Sequence, residues 1–85
     1  MAEIYEMQVA PHNYYSHLST FASGHLCASV PNFKIMETDP DSVSWRDDIT
    51  TEVPVLKNGY FQVPDRPGIG CDLNEKEIAK HPWNK

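Results

Sequence analysis

Apolar and polar positions change period along the chain. Residues 7–10, MQVA, are a short and mostly apolar run closed by Pro11. Proline biases the residue before it toward extended backbone, so the run suits a buried strand. From Ser16 the period becomes helical. Leu18, Phe21, Ala22, His25 and Leu26 fall at i, i+3, i+4, i+7 and i+8, one face of a helix spanning residues 16–29. Ser16 stands where its hydroxyl can accept from an unpaired N–H of the first turn. Gly24 costs such a helix about 1 kcal/mol relative to alanine, so a neighbouring element is expected to come close there. The helix should stop before Pro31. Residues 32–37, NFKIME, then read as a second strand with Phe33 and Ile35 on one face. Strand, helix and strand over about 30 residues is the size of one right-handed βαβ unit with parallel strands. A parallel pair normally has both faces covered inside a larger sheet or barrel.

After Glu37 the character changes. Residues 38–54, TDPDSVSWRDDITTEVP, are acidic and patternless. Residues 55–64, VLKNGYFQVP, set Asn58-Gly59 between two apolar runs, which predicts a hairpin. A Pro-Gly turn region follows. The residues NEKEIAK, 74–80, predict a short helix with Asp72 or Asn74 as cap and Pro82 as its stop. Six of the seven prolines lie from Pro31 onward, which fits loops and short strands. The chain therefore divides into a strand–helix–strand segment, 1–38, and a segment of hairpin and short helix, 39–85.

Composition narrows the function classes. At 85 residues the chain is one small domain, and such a domain buries only about 60–65% of its unfolded surface. Twelve acidic against seven basic residues give a net charge of −5, with no Lys/Arg run to neutralise phosphates. This argues against binding nucleic acid or an anionic membrane surface. No apolar stretch approaches the roughly 18 residues of a membrane span. The N-terminus, MAEIYEMQ, has neither the basic start nor the apolar core of a signal peptide. Cys27 and Cys71 are far apart and outside any CxxC pair, so both read as reduced thiols of a cytoplasmic protein, with Cys27 packed in a core.

Several residues are candidates for chemistry. His12 stands in a Pro/Asn turn at the end of the first strand, as a turn histidine or as a catalytic group. Glu37 ends the second strand. Tyr14 and Tyr15 follow His12 and suit either a substrate pocket or a covering loop. Trp45 either reaches the site from the acidic loop or packs. His17 and His25 are read as packing or surface residues. No HExxH or similar ligand spacing marks a metal site, and PGIG lacks the rest of a phosphate loop.

The segments APHN, HLCASVPNFKIME, NGYF and PGIGCDLNE, in this order and spacing, resemble the C-terminal end of the mandelate racemase/muconate lactonizing enzyme family of the enolase superfamily. Within it they look most like acid-sugar dehydratases of the galactonate and mannonate kind. The resemblance covers about residues 2–83. It implies an α/β fold, the C-terminal fragment of a modified (β/α)8 barrel. Residues 7–10 would be strand seven, 16–29 the following helix and 33–36 strand eight. The hairpin and last helix would return to a capping domain. Barrel active sites gather at the C-terminal strand ends. His12 and Glu37, 25 positions apart, should therefore share one rim.

By this resemblance His12 is the acid/base for a proton beside a carboxylate or for a departing hydroxyl, and imidazole suits the task. Glu37 would hydrogen-bond the substrate carboxylate, for which it must hold a proton. Tyr14 and Trp45 would contact substrate. Mg²⁺ would stabilise the enediolate, with ligands on earlier strands absent from this chain. Asp39, Asp41, Asp47 and Asp48 do not replace them, because they sit in a loop rather than at spaced strand ends. The aspartate that orients the histidine in the family is also outside the chain. The implied function is the C-terminal part of a Mg²⁺-dependent sugar-acid dehydratase, inactive alone and assembled with the rest of its barrel. Dehydration and racemisation begin with the same proton removal. The alternative is a truncated, non-catalytic remnant or assembly module that self-associates through an open strand edge.

Overall fold

A parallel strand needs neighbours to extend its ladder, and this chain offers it one. The computed structural model describes residues 1–40 and 43–82; Asp41, named above, and residue 83, where the resemblance ends, lie outside them. The two predicted strands are reduced to one parallel bridge between Val9 and Phe33. Val9 N–H donates to the Asn32 carbonyl at 2.8 Å, and Lys34 N–H donates to the Val9 carbonyl at 2.9 Å. The direction agrees with a βαβ unit, and the length does not reach a full strand. Before it, Ala2–Tyr5 form one 3₁₀ turn, ended by Glu6 at φ 57°.

Helix α1, His17–Ser29, joins the two bridged segments. Ser16 occupies the N-cap but makes no side-chain cap bond. Its carbonyl instead accepts from the N–H and the hydroxyl of Thr20. The expected apolar face is also displaced. The buried residues of α1 are His17, Thr20, Phe21, Gly24 and Cys27, while Leu26 is 55% exposed. Small and polar residues line the covered side because other segments approach there closely. A Cβ on Gly24 would fall onto the ring edge of Phe61, as the glycine in mid-helix foretold.

Phe61 belongs to the predicted hairpin. Strands β1, Leu56–Lys57, and β2, Tyr60–Phe61, pair antiparallel around Asn58 and Gly59, at φ 54° and 79°. Both residues favour such positive φ, as a tight two-residue turn requires. The Phe61 ring meets Phe21 edge-on at 5.9 Å. The acidic loop carries a 3₁₀ turn, Arg46–Asp48, and an antiparallel bridge from Thr50 to Leu73 that the sequence pattern did not suggest. Helix α2, Glu75–Ala79, starts at Asn74, whose side chain accepts from Glu77 N–H. It ends before Pro82 is reached. The Glu77 carboxylate meets Lys80 at 2.6 Å, and this hydrogen bond, with the carboxylate's charge, holds the lysine above its usual range.

The core is sparse. Among the described residues only Phe21 and Cys27 are buried apolar side chains, and Asn13, His17, Thr20 and Thr50 are buried polar ones. The radius of gyration is 14.6 Å. A compact domain of this length would have about 12 Å.

Candidate active site

The parallel bridge sets the ends of two chain segments side by side, and His12 and Glu37 meet there. His12 Nδ1 lies 2.5 Å from Glu37 Oε2, with the side chains 65% and 45% exposed. The same carboxylate oxygen accepts from Asn13 N–H at 3.0 Å. The Tyr15 ring stands edge-on to the imidazole at 5.2 Å and 76°. Tyr14 is about half exposed. Trp45 stacks flat on His81, at 4.0 Å and 13°.

Beneath the pair lies Asn13, fully buried. Its side-chain Nδ2 donates to Thr20 Oγ1 at 3.1 Å and to the Glu37 carbonyl at 3.0 Å. Its Oδ1 accepts from the Ser19 hydroxyl at 3.0 Å. A buried amide whose two N–H groups and carbonyl oxygen are all paired is well suited to fixing neighbours, because any displacement leaves a polar group unpaired.

The other histidines tie the acidic loop and the turn region to α1. Buried His17 reaches Asp47 Oδ1 at 2.5 Å, and His25 Nε2 meets the Ile69 carbonyl at 2.9 Å. Arg46 Nη1 donates to the Asp39 carbonyl at 2.7 Å and lies 3.8 Å from its carboxylate. His17 and His25 read as packing or surface residues in the sequence, and each makes a contact to a loop. Burial pushes the Cys27 thiol above its usual range. Cys71 is raised first by burial and then by the charge of Asp72, with Arg66 pulling the other way. Neither is poised as a nucleophile.

An apolar groove of about 400 Å³ runs between α1 and the hairpin, past Cys27, Ile35, Leu56, Phe61 and Val63. Neither His12 nor Glu37 lines it. The exposed rim, where an imidazole and a carboxylate converge, is the place equipped for proton transfer. Among the described residues no three His, Cys, Asp or Glu side chains cluster to hold a metal ion. None of the described helices is long and apolar enough to cross a membrane.

A parallel bridge joined by a helix, with a histidine and a glutamate at its C-terminal end, has the form of one unit of a (β/α)8 domain. The profile of the enolase C-terminal domain-like family matches residues 1–77, and the chain belongs to that family. D-xylonate dehydratase of Haloferax volcanii is 31% identical over 95% of this chain and 20% of its own length. The D-galactonate dehydratase family member SeV_A0456 of Salmonella virchow is 39% identical over 72% of this chain and 14% of its own length. A solved structure from Burkholderia xenovorans LB400, assigned as an L-alanine-DL-glutamate epimerase and bound to magnesium and fumarate, superposes with a TM-score of 0.92. It is 46% identical and is matched over 95% of this chain and 20% of its own. The chain thus spans about a fifth of the length of such relatives.

Proposed function

We propose that the chain is the C-terminal part of the barrel of a Mg²⁺-dependent acid-sugar dehydratase. It would supply strand seven, the following helix and strand eight, with the hairpin and last helix returning toward a capping domain. The observation that carries this reading is the contact of His12 Nδ1 with Glu37 Oε2 across a parallel bridge. The substrate class is a sugar acid with a hydrogen on the carbon beside its carboxylate and a hydroxyl on the next carbon. His12 takes that proton or returns one to the departing hydroxyl. Loss of the proton and the hydroxide is loss of one water, and the enol left behind becomes a 2-keto-3-deoxy acid. Glu37, holding a proton, donates a hydrogen bond to the substrate carboxylate as charge builds there. Tyr14 and Trp45 are assigned to the substrate's other groups. The described residues do not form a magnesium site, so that ion would be held by carboxylates of the remaining barrel.

The test is complementation. The chain is mixed with a barrel piece of a related dehydratase lacking the corresponding segment, with Mg²⁺ and a panel of sugar acids, and 2-keto-3-deoxy products are assayed. We expect turnover with the wild-type chain and a loss of at least about a hundredfold in His12→Ala, the usual worth of an acid/base group. Turnover that survives His12→Ala removes the assignment. A second reading, a non-catalytic module that self-associates, is favoured by one observation: Met7, Ile35 and Leu26 are each more than half exposed.

A further inference from the structure

We propose that Arg46 is a positioning residue for Glu37: it holds the chain where it leaves that residue, and the C-terminal segment holds Arg46 in turn. The inference deepens the proposed function and rests on that reading only for its effect on turnover.

Asp39 follows Glu37 after a single residue, and Asp39 is where Arg46 binds. Arg46 Nη1 donates to the Asp39 carbonyl at 2.7 Å and stands 3.8 Å from its carboxylate. The two side chains are only 19% and 9% exposed. An ion pair so far out of water adds little net stability over apolar side chains of the same size, and its specific contribution is to fix one arrangement. Here a main-chain and a side-chain oxygen of one residue face one planar guanidinium, which sets the direction of the chain just past Glu37. The Glu37 carboxyl group in turn accepts from Asn13 N–H at 3.0 Å. That bond needs only an oxygen lone pair, which a carboxyl group offers with or without its proton, so the Asn13 amide reports where Glu37 stands.

Arg46 is itself clamped. It opens the 3₁₀ turn Arg46–Asp48, and its two neighbours in the chain reach different segments. Trp45 stacks on His81, and Asp47 meets buried His17 on α1. Past the turn the chain runs antiparallel to the C-terminal segment. Asn74 N–H donates to the Ile49 carbonyl and Thr51 N–H to the Asp72 carbonyl, both at 2.8 Å, and Asp72 N–H donates to Thr51 Oγ1 at 3.0 Å. Residues 45, 49 and 51 therefore meet 81, 74 and 72 in order. Residues 45–51 and 72–81 form one strap, fastened to α1 through Asp47 and to the rim through Arg46.

The experiment is amide hydrogen exchange, read by mass spectrometry on the chain mixed with an excess of the barrel piece used for complementation. Arg46→Met keeps an unbranched stem of similar length and removes every donor. We expect the Asn13 amide to be protected in the wild type and to exchange at least about tenfold faster in Arg46→Met, with the amides of α1 changed by less than about twofold. Arg46→Lys, whose ammonium can meet the Asp39 carbonyl without the planar fork, should fall between. In the same mixture Arg46→Met should lower kcat for the sugar acid about ten- to a hundredfold with KM kept, the mark of a misplaced group that acts in the transition state. Combined with Glu37→Gln, it should cost less than about twofold more, because the group it positions is already gone. If Arg46→Met loses the protection of α1 as well, Arg46→Lys decides, with a smaller acceleration confined to Asn13 expected. An unchanged Asn13 amide in Arg46→Met, or in Arg46→Lys when the first variant unfolds, overturns the proposal. So does acceleration spread equally over α1 in both variants, a full further loss on top of Glu37→Gln, or a wild-type Asn13 amide that exchanges at the unstructured rate. A mixture that never turns over, with this exchange pattern intact, sinks the dehydratase reading and supports the positioning.

Discussion

Cys27 and Cys71 share a direction of shift but not an accessibility. Cys27 is buried and Cys71 only partly so. A thiol-alkylating reagent at neutral pH should modify Cys71 first and Cys27 only on unfolding in urea; peptide mass mapping over time would show the order. Burial raises the Cys27 pKa above the ordinary 9.0, so the folded state holds this proton more tightly than the unfolded chain. Its contribution is whole below that value and is lost as pH rises past it. The stability advantage of wild type over Cys27→Ala, read as the difference in urea midpoints, should therefore shrink from pH 8 to pH 10.5. A constant difference would show that the thiol does not couple to folding. At this scale the sequence placed His12 and Glu37 at neighbouring segment ends, where they meet, because Pro11 marks where the first extended run stops and Glu37 ends the second. It did not reveal Asn13. An asparagine after proline and histidine reads as a turn residue, and its partners lie 7 and 24 residues away.

The extent of α1 was readable from its period, and its buried face was not. Of the expected stripe, Leu18, Phe21, Ala22, His25 and Leu26, only Phe21 is buried. Coverage by the hairpin and by Asn13 turns the helix so that Thr20, Gly24 and Cys27 face the packed side. Gly24 was the clue in the sequence, since a glycine in mid-helix calls for a close neighbour. Gly24→Ala should gain about 1 kcal/mol of helix propensity and lose about 1–3 kcal/mol by overpacking against Phe61. The expected outcome is a lower urea midpoint together with loss of proton–proton contacts between the Phe21 and Phe61 rings. A higher midpoint with the ring contact intact would contradict it. The hairpin was legible because Asn-Gly dictates its turn. The strands were legible in direction only, because a parallel ladder draws its length from partners that this chain does not supply.

For the whole molecule, apolar exposure is the dominant fact. Ile4, Met7, Ile35, Leu26 and Leu56 are all more than half exposed, against two buried apolar side chains among the described residues. A domain this short has little margin to leave that much unburied. In sedimentation, the chain alone should associate or aggregate, and an excess of a barrel piece lacking this segment should convert it to a one-to-one complex. A monomeric chain with a sharp, concentration-independent unfolding transition would oppose both readings of its function. The likeness to relatives five times as long was visible in the order of four short segments. The poverty of the core was not, because periodicity marks which side chains want cover and says nothing of whether cover exists.

One helix anchors nearly everything else. The hairpin leans on it through Phe61, the acidic loop through Asp47 and His17, the turn region through Ile69 and His25, and the rim pair through Asn13. Such an arrangement works like a tent on a single pole. Whatever frays those four turns slackens every guy-line together, so heat would disarm the rim and dissolve the rest in the same step.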